Sequence, residues 1–403
     1  MSNFNYYIYY ETSDGKYRCY NTETEKLETI DKLPFAIGTF HIMKGYDPSD
    51  EGILNYYKDF KKWINELRYN KILSIRYDKY YNHSSAVELT FKRLSKDKYE
   101  HFESIGMEEH DLINKCSNGG LVYLNPDCIG KLLDCYGYDF TANYPTILQL
   151  KKFKIPTKKY TEYILEELPK RKNIRFGIYH VSITSTHPHI KRIFSFSKEN
   201  YYQCESVKFA LKHRKKFNIK IELIQDNESN AFIYDDYVTG REVFGNWFDQ
   251  LIQLKKKYPK NKLAKHLLTS IWGSVTHMKC INKTYDQIIN ENIDVNDKYN
   301  IHELIIKPNR EYYVLVPNEN AYTFNIRIKS NLTAIARNSI AKVILKNMDT
   351  FVRVQTDGAV FTKQINNTKF EGLLPEAKTT SILEWIDVNK AKDKNGGSVI
   401  GKC

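Results

Sequence analysis

The segment FVRVQTDGAVFT, residues 351–362, has little choice of fold. Two runs rich in Val, Phe and Thr flank Thr356-Asp357-Gly358, and strand formers interrupted by an Asp-Gly pair close into a tight hairpin. The stretch before it has helical spacing: Leu332, Ile335, Ala336, Ile340, Val343 and Ile344 fall on one face between Leu332 and Lys346. An amphipathic helix feeding a hairpin commits this region to an antiparallel sheet with a helix packed on it. The hairpin also carries an acid, Asp357, at its tip.

A second acid closes another strand. Residues 132–150, LLDCYGYDFTANYPTILQL, read as a strand ending near Asp139, a turn, and a helix starting around Pro145, since proline suits a first helical turn. Asn118-Gly119-Gly120 breaks the chain just before the strand LVYL. Further strands and helices surround these elements. A helix is expected over Glu51–Leu67, a strand within IRFGIYHVSI, a helix around Glu205–Lys216 and strong helicity over 244–278. Residues 279–315 are polar and read as a loop-rich insertion, and KAKDKNGGSVIGKC reads as a charged tail.

At 403 residues and 41% hydrophobic content, the chain can support two or three domains. Its net charge of +13 favours a polyanionic partner, nucleic acid foremost, although a Lys- and Asn-rich composition also accompanies AT-rich genomes. The seven cysteines lie too far apart for a zinc knuckle or a redox pair and imply reduced thiols. No apolar signal core or bilayer-length run is present, so the expectation is a soluble intracellular protein.

Phosphoryl transfer to a 3′ hydroxyl needs two Mg²⁺ ions roughly 3.5–4 Å apart, held by carboxylates on rigid neighbouring strands. It also needs a cation for the triphosphate and, usually, an aromatic wall for the sugar. Asp139 and Asp357 supply the acids. In KLAKHLLTSIWGSV, Lys265, Thr269 and Trp272 share one helical face, with Leu263, Leu267 and Ser270 roughly opposite. Each feature alone is ordinary: an aspartate after a strand is commonly a turn or cap residue, and a lysine on an amphipathic helix is commonly solvated. Their order along the chain is what carries information.

That order resembles the family B DNA polymerases, most of all the protein-primed branch found in viruses, linear plasmids and mobile elements. Asp139-Phe140-Thr141-Ala142-Asn143-Tyr144-Pro145-Thr146-Ile147 is similar to the first palm motif, Asp-x-x-Ser-Leu-Tyr-Pro-Ser-Ile. Lys265-x-x-x-Thr269-Ser270-Ile271-Trp272-Gly273 is similar to the fingers motif, Lys-x-x-x-Asn-Ser-x-Tyr-Gly, and Gln355-Thr356-Asp357-Gly358 to the second palm motif, Asp-Thr-Asp-Ser. Asn118-Gly119-Gly120 resembles the Tyr-x-Gly-Gly stretch that contacts DNA, and Ala336-Arg337 fits the same branch.

The resemblance implies a mixed α/β (α+β) right hand with an antiparallel palm sheet, helical fingers and a small thumb. It implies a reduced exonuclease-like domain over 1–115, palm over 116–240 and 316–370, fingers over 241–278, the insertion over 279–315, and a minimal thumb or tail over 371–403. The implied reaction is template-directed DNA synthesis from deoxynucleoside triphosphates on a primer-template, with a terminal protein as an alternative primer. Asp139, Asp357 and the Phe140 carbonyl would hold two Mg²⁺ ions, or Mn²⁺ in their place. Tyr144 would pack under the incoming sugar and exclude a 2′ hydroxyl. Lys265 would hold the triphosphate, Thr269 and Trp272 would line the nascent base pair, and Asn118, Gly119, Gly120 and Arg337 would meet DNA.

Three departures keep rival readings open. Gln355 replaces the first aspartate of the last motif, Thr269 an asparagine, and Trp272 a tyrosine. In the N-terminal region Tyr9-Tyr10-Glu11-Thr12 lacks one aspartate of the exonuclease pattern. Ser74-x-x-Tyr77-Asp78 and His110-Asp111 match it loosely, so no proofreading is expected. A non-catalytic DNA-binding relic and a template-independent nucleotidyltransferase are the alternatives.

Overall fold

The computed structural model describes residues 6–33, 38–41, 46–69, 83–95, 102–226, 228–257, 259, 262–276, 278, 280–307, 310–318, 325–376 and 381–398. The chain divides into two compact units, residues 1–98 with 244–274, and residues 99–243 with 275–403.

In the first unit, strands Lys26–Ile30, Tyr17–Asn21 and Tyr6–Glu11 form an antiparallel meander, and Gly38–His41 adds in parallel beside Tyr6–Glu11. The helix Asp50–Tyr69 covers this sheet: Ile8, Ile53, Tyr56 and Phe60 are buried, and the Tyr20 and Tyr57 rings meet at 5.0 Å. Arg18 clamps Asp50 in the first helical turn through two bonds of 2.6 and 2.7 Å, which holds the Asp50 carboxyl below its ordinary range. A further helix, His83–Ser95, stacks Phe91 on Phe244 at 4.9 Å and sets it against Trp247. The helix expected over Glu51–Leu67 is present as Asp50–Tyr69, and the second helix was not foreseen. Ser74, Tyr77 and Asp78 lie outside the described residues.

The second unit is built around a seven-stranded antiparallel sheet. Its order is Lys390–Asp393, Ser381–Asp387, Leu132–Phe140, Gly358–Phe361, Phe351–Thr356 and Leu121–Leu124, with Leu373–Pro375 also paired to Leu132–Phe140. The expected hairpin is therefore central. A register shift between Phe351 and Arg353 puts Phe351 and Val354 against the main core, and Val352 against a smaller core with Trp385 and Leu383. Residues 381–393, part of the expected thumb or tail, form a hairpin whose first strand extends the sheet.

Helices Ile328–Lys346, Met107–Cys116 and Cys204–Phe217 contribute to the main core. The start of Ile328–Lys346 is anchored by a buried ion pair. Arg327 Nε and Nη2 donate to Glu109 at 2.6 and 2.7 Å, Tyr234 donates to the same carboxylate at 3.1 Å, and Arg327 also donates to the carbonyls of Glu103 and Ser104. A second sheet, Tyr201–Gln203, Gly177–Thr184, Ala231–Ile233 and Thr161–Tyr163, completes this core, with Lys220–Leu223 paired to Gly177–Thr184. Residues 279–315, expected to be loop-rich, instead hold the antiparallel sheet Ile281–Lys283, Arg310–Pro317, Tyr299–Lys307 and a short helix with a Thr284/Gln287 capping box. Its polar composition concealed the strands because many side chains, Ile301 and Ile306 among them, stay exposed.

Candidate active site

Asp139 is the penultimate residue of the strand Leu132–Phe140, and Asp357 is in the turn between Phe351–Thr356 and Gly358–Phe361. The sheet brings them side by side. Asp139 pairs in register with Gly358, and the Phe140 amide donates to the Asp357 carbonyl at 3.1 Å. Both side chains are half-buried. A methyl group added to Gly358 would lie 3.3 Å from Asp139 Oδ1, so the glycine leaves this carboxylate its room. A carboxylate at a strand end and another in the adjoining hairpin turn suit a small divalent cation, which takes one or two protein carboxylates and completes its shell with water and phosphate. Among the described residues no cluster of three or more His, Cys, Asp or Glu side chains forms a closed metal cage.

The backbone around the acids is unusual. Thr356 has φ 57°, a left-handed conformation that β-branched residues rarely adopt, and Ala142, just before the helix Asn143–Leu148, has φ 47°. Such outliers persist where neighbours fix them, and here the neighbour of Thr356 is Gly120. A Cβ on Gly120 would come within 2.9 Å of the Thr356 Cα, and Leu121 pairs with Thr356. The Asn118–Gly120 break thus ends against the turn that carries Asp357, and only glycine fits that approach.

Tyr144 is half-buried on the helix Asn143–Leu148, which begins two residues before Pro145. Burial raises its phenol above the ordinary range, nearby Asp357 adds to this, and Arg337 opposes it. Arg337 is itself buried and donates to the carbonyls of Gly119 at 2.9 Å and Arg192 at 3.0 Å, with its guanidinium 3.9 Å from the Phe196 ring centre. Burial pulls its pKa down to about 10. The sequence nominates Arg337 as a DNA contact. Its bonds make it the link between the long helix and the Asn118–Gly120 segment.

Gln355 faces the opposite side of the hairpin from the main core. Its Oε1 accepts from Arg353, and its Nε2 donates to Asn389 at 2.9 Å. Arg353 is buried, donates to the Val388 carbonyl at 2.5 Å and lies over Trp385. Neither Arg353 nor Asn389 was singled out from sequence. The alternation of Arg353 with Gln355 on one strand face was a usable signal for the first, whereas nothing local marks Asn389.

In the first unit, Lys265 and Thr269 are exposed on the helix Lys262–Thr269, and Trp272 is half-buried on the separate short helix Ile271–Val275. The anchoring residues are Leu267, Leu268 and Ile271; the helix pauses at Ser270, whose hydroxyl meets His266 Nδ1 at 3.1 Å. The Thr269 hydroxyl turns back to the Lys265 carbonyl at 3.0 Å. Of the exonuclease-like residues, Glu11 ends a strand of the first unit. Asp111 is exposed on Met107–Cys116 in the second, beside a buried His110 that meets Asn114 at 2.6 Å.

No protein-family model and no curated protein sequence matches the chain. Among solved structures it is similar to Phi29 DNA polymerase complexed with single-stranded DNA, at 14% identity and TM-score 0.57 over 89% of this chain and 63% of that one. It is also similar to the ternary complex of that polymerase with primer-template DNA and incoming nucleotide, at 14% identity and TM-score 0.56 over 91% of this chain and 65% of that one. The post-translocation binary complex aligns over 98% of this chain and 75% of the polymerase, at 13% identity and TM-score 0.55. In the first two comparisons the chain spans less than two thirds of the polymerase. Among the described residues no helix is long and apolar enough to cross a membrane. With these neighbours, the chain has the fold of Phi29 DNA polymerase.

Proposed function

We propose that this chain is a DNA-directed DNA polymerase that extends a 3′ hydroxyl on a template by two-metal deoxynucleotidyl transfer, without proofreading. The observation that supports this reading is the in-register pairing of Asp139 with Gly358, which sets the backbone of Asp139 beside the turn that carries Asp357. When bound, Mg²⁺, or Mn²⁺ in its place, supplies charge neutralisation and activation of the attacking hydroxyl. Asp139, Asp357 and the Phe140 carbonyl provide its oxygen ligands. The Tyr144 ring offers a floor for the deoxyribose and no room for a 2′ oxygen. Lys265 Nζ binds the triphosphate and gives a proton to the departing pyrophosphate. Thr269 and Trp272 border the base pair, and Asn118–Gly120, positioned by Arg337, lie along the DNA backbone. A terminal protein is the proposed alternative to a DNA primer.

A second reading, a non-catalytic DNA-binding relic of the same fold, draws on Gln355, whose side chain is committed to Arg353 and Asn389. Extension of a recessed primer with Mg²⁺ or Mn²⁺ separates the two. Templated products that vanish in Asp357→Asn and Asp139→Asn support the polymerase. Salt-sensitive DNA binding with no product supports the relic. Extension that ignores the template points to a terminal transferase, and trimming of a single-stranded 3′ end overturns the lack of proofreading.

A further inference from the structure

Away from the two carboxylates, the second unit contains a groove walled by lysines. The helix Ile328–Lys346 presents Lys342, the helix Cys204–Phe217 presents Lys208 and Lys212, and the segment after Asn143–Leu148 adds Lys152 and Lys154. The groove consists of two adjoining cavities of about 200 and about 310 Å³ that share Lys208, Asn338 and Lys342; Arg171 and Lys172 extend the larger one. Glu205 is the one acid in the lining among the described residues, and Lys208 sits 3.0 Å from it.

Six ammonium groups and the Arg171 guanidinium line the two cavities around one carboxylate, so like charges face one another across the groove. Lys342 is held below the ordinary lysine range by loss of surrounding water and then by Lys152 and Lys212, with Glu205 opposing. A cluster serving stability alone would interleave acids, as Arg18 and Asp50 do elsewhere in the chain. The walls are nonetheless held together: Asn338 on one helix donates to the Glu205 carbonyl on the other at 3.0 Å. At one end Phe176 lines the smaller cavity and packs edge-on against Tyr237 at 5.7 Å. Tyr237 stays 42% exposed, with Lys154 Nζ 3.9 Å from its ring centre. A cationic trough ending at an exposed aromatic ring is what an unpaired strand uses, phosphates in the trough and a base on the ring. Cavities of this volume admit phosphate groups.

We propose that this groove binds the phosphodiester backbone of single-stranded nucleic acid, with a base stacked on Tyr237, at a site that shares no lining residue with the Asp139–Asp357 pair. The test is the salt dependence of binding to a labelled oligothymidylate, followed by fluorescence anisotropy. Replacing Lys152, Lys208 and Lys342 by Gln together makes the plot of log affinity against log salt shallower by about 2, three contacts at about 0.7 each. The same three changes to Arg preserve the slope, and Tyr237→Ala weakens binding without altering it. Thermal melting of the Gln variant is unchanged or raised, because like charges have been removed. Should the triple variant not fold, Lys342→Gln alone is expected to lower the slope by about 0.7. An unchanged slope overturns the proposal, as does an equal loss of slope on a blunt duplex. A chain that binds in this way yet never extends a primer would sink the polymerase reading alone.

Discussion

Gln355 is held by Arg353: its side-chain oxygen accepts from a buried guanidinium that also bonds the Val388 carbonyl and lies over Trp385. The position where the related motif carries an acid is therefore tied to the C-terminal hairpin. Gln355→Asp puts a carboxylate beside this cation, where an ion pair replaces the amide contact. Primer extension by Gln355→Asp is expected to equal or exceed that of the parent chain, and a clear loss of product would refute this.

Gly120 lets the Asn118–Gly120 segment lie on Thr356, with no room for a side chain within 2.9 Å of the Thr356 Cα. Gly120→Ala forces that contact apart and costs about 1–3 kcal/mol, as overpacking does. Because Thr356 adjoins Asp357, extension is expected to fall more steeply than the shift in the chemical-denaturation midpoint implies.

Glu109 is the counter-charge for Arg327 in the main core, and both side chains are almost fully buried. Glu109→Ala strands the guanidinium, a loss of about 3–5 kcal/mol measured by denaturant titration. A double change, Glu109→Met with Arg327→Met, recovers much of it if the penalty arises from an unpaired buried charge.

Burial lowers His110, His180, His213 and His266 below the ordinary value of 6.5. The unfolded chain then binds protons more readily than the folded one, so stability is full above about 6.5 and falls as pH drops through the lower folded values. Melting temperatures are expected to decline between about pH 7 and about pH 5. His266→Gln should flatten that decline, burial being the one cause of its shift.

Tyr144 neighbours Asp357 and Arg337. If its ring is the floor for the sugar, Tyr144→Ala raises ribonucleotide incorporation relative to deoxynucleotide incorporation, while Tyr144→Phe leaves the ratio near that of the parent chain. An unchanged ratio in the alanine variant removes Tyr144 from sugar selection.

Much of the fold was legible locally. The helices Asp50–Tyr69, Cys204–Phe217 and Ile328–Lys346 and the hairpin at Thr356 follow from periodicity and turn chemistry over short windows. The strands of 299–317 did not, because a sheet with exposed apolar residues and many polar ones mimics a loop. Asp139 and Asp357 were nominated by what precedes and follows them, and Lys265, Thr269 and Trp272 by helical spacing.

By itself the sequence determined which residues end strands, which face a helix turns to solvent, and that the chain is basic, since each depends on neighbours a few positions away. Only the tertiary structure decided that Asp139 lies against Gly358, that Arg337 bonds Gly119, that Arg353 and Asn389 hold Gln355, and that six lysines line the groove that contains Glu205. These are matters of strand register and of hydrogen bonding between distant segments. They are fixed by which backbone groups find partners and which side chains fill a shared core, and no local pattern encodes that.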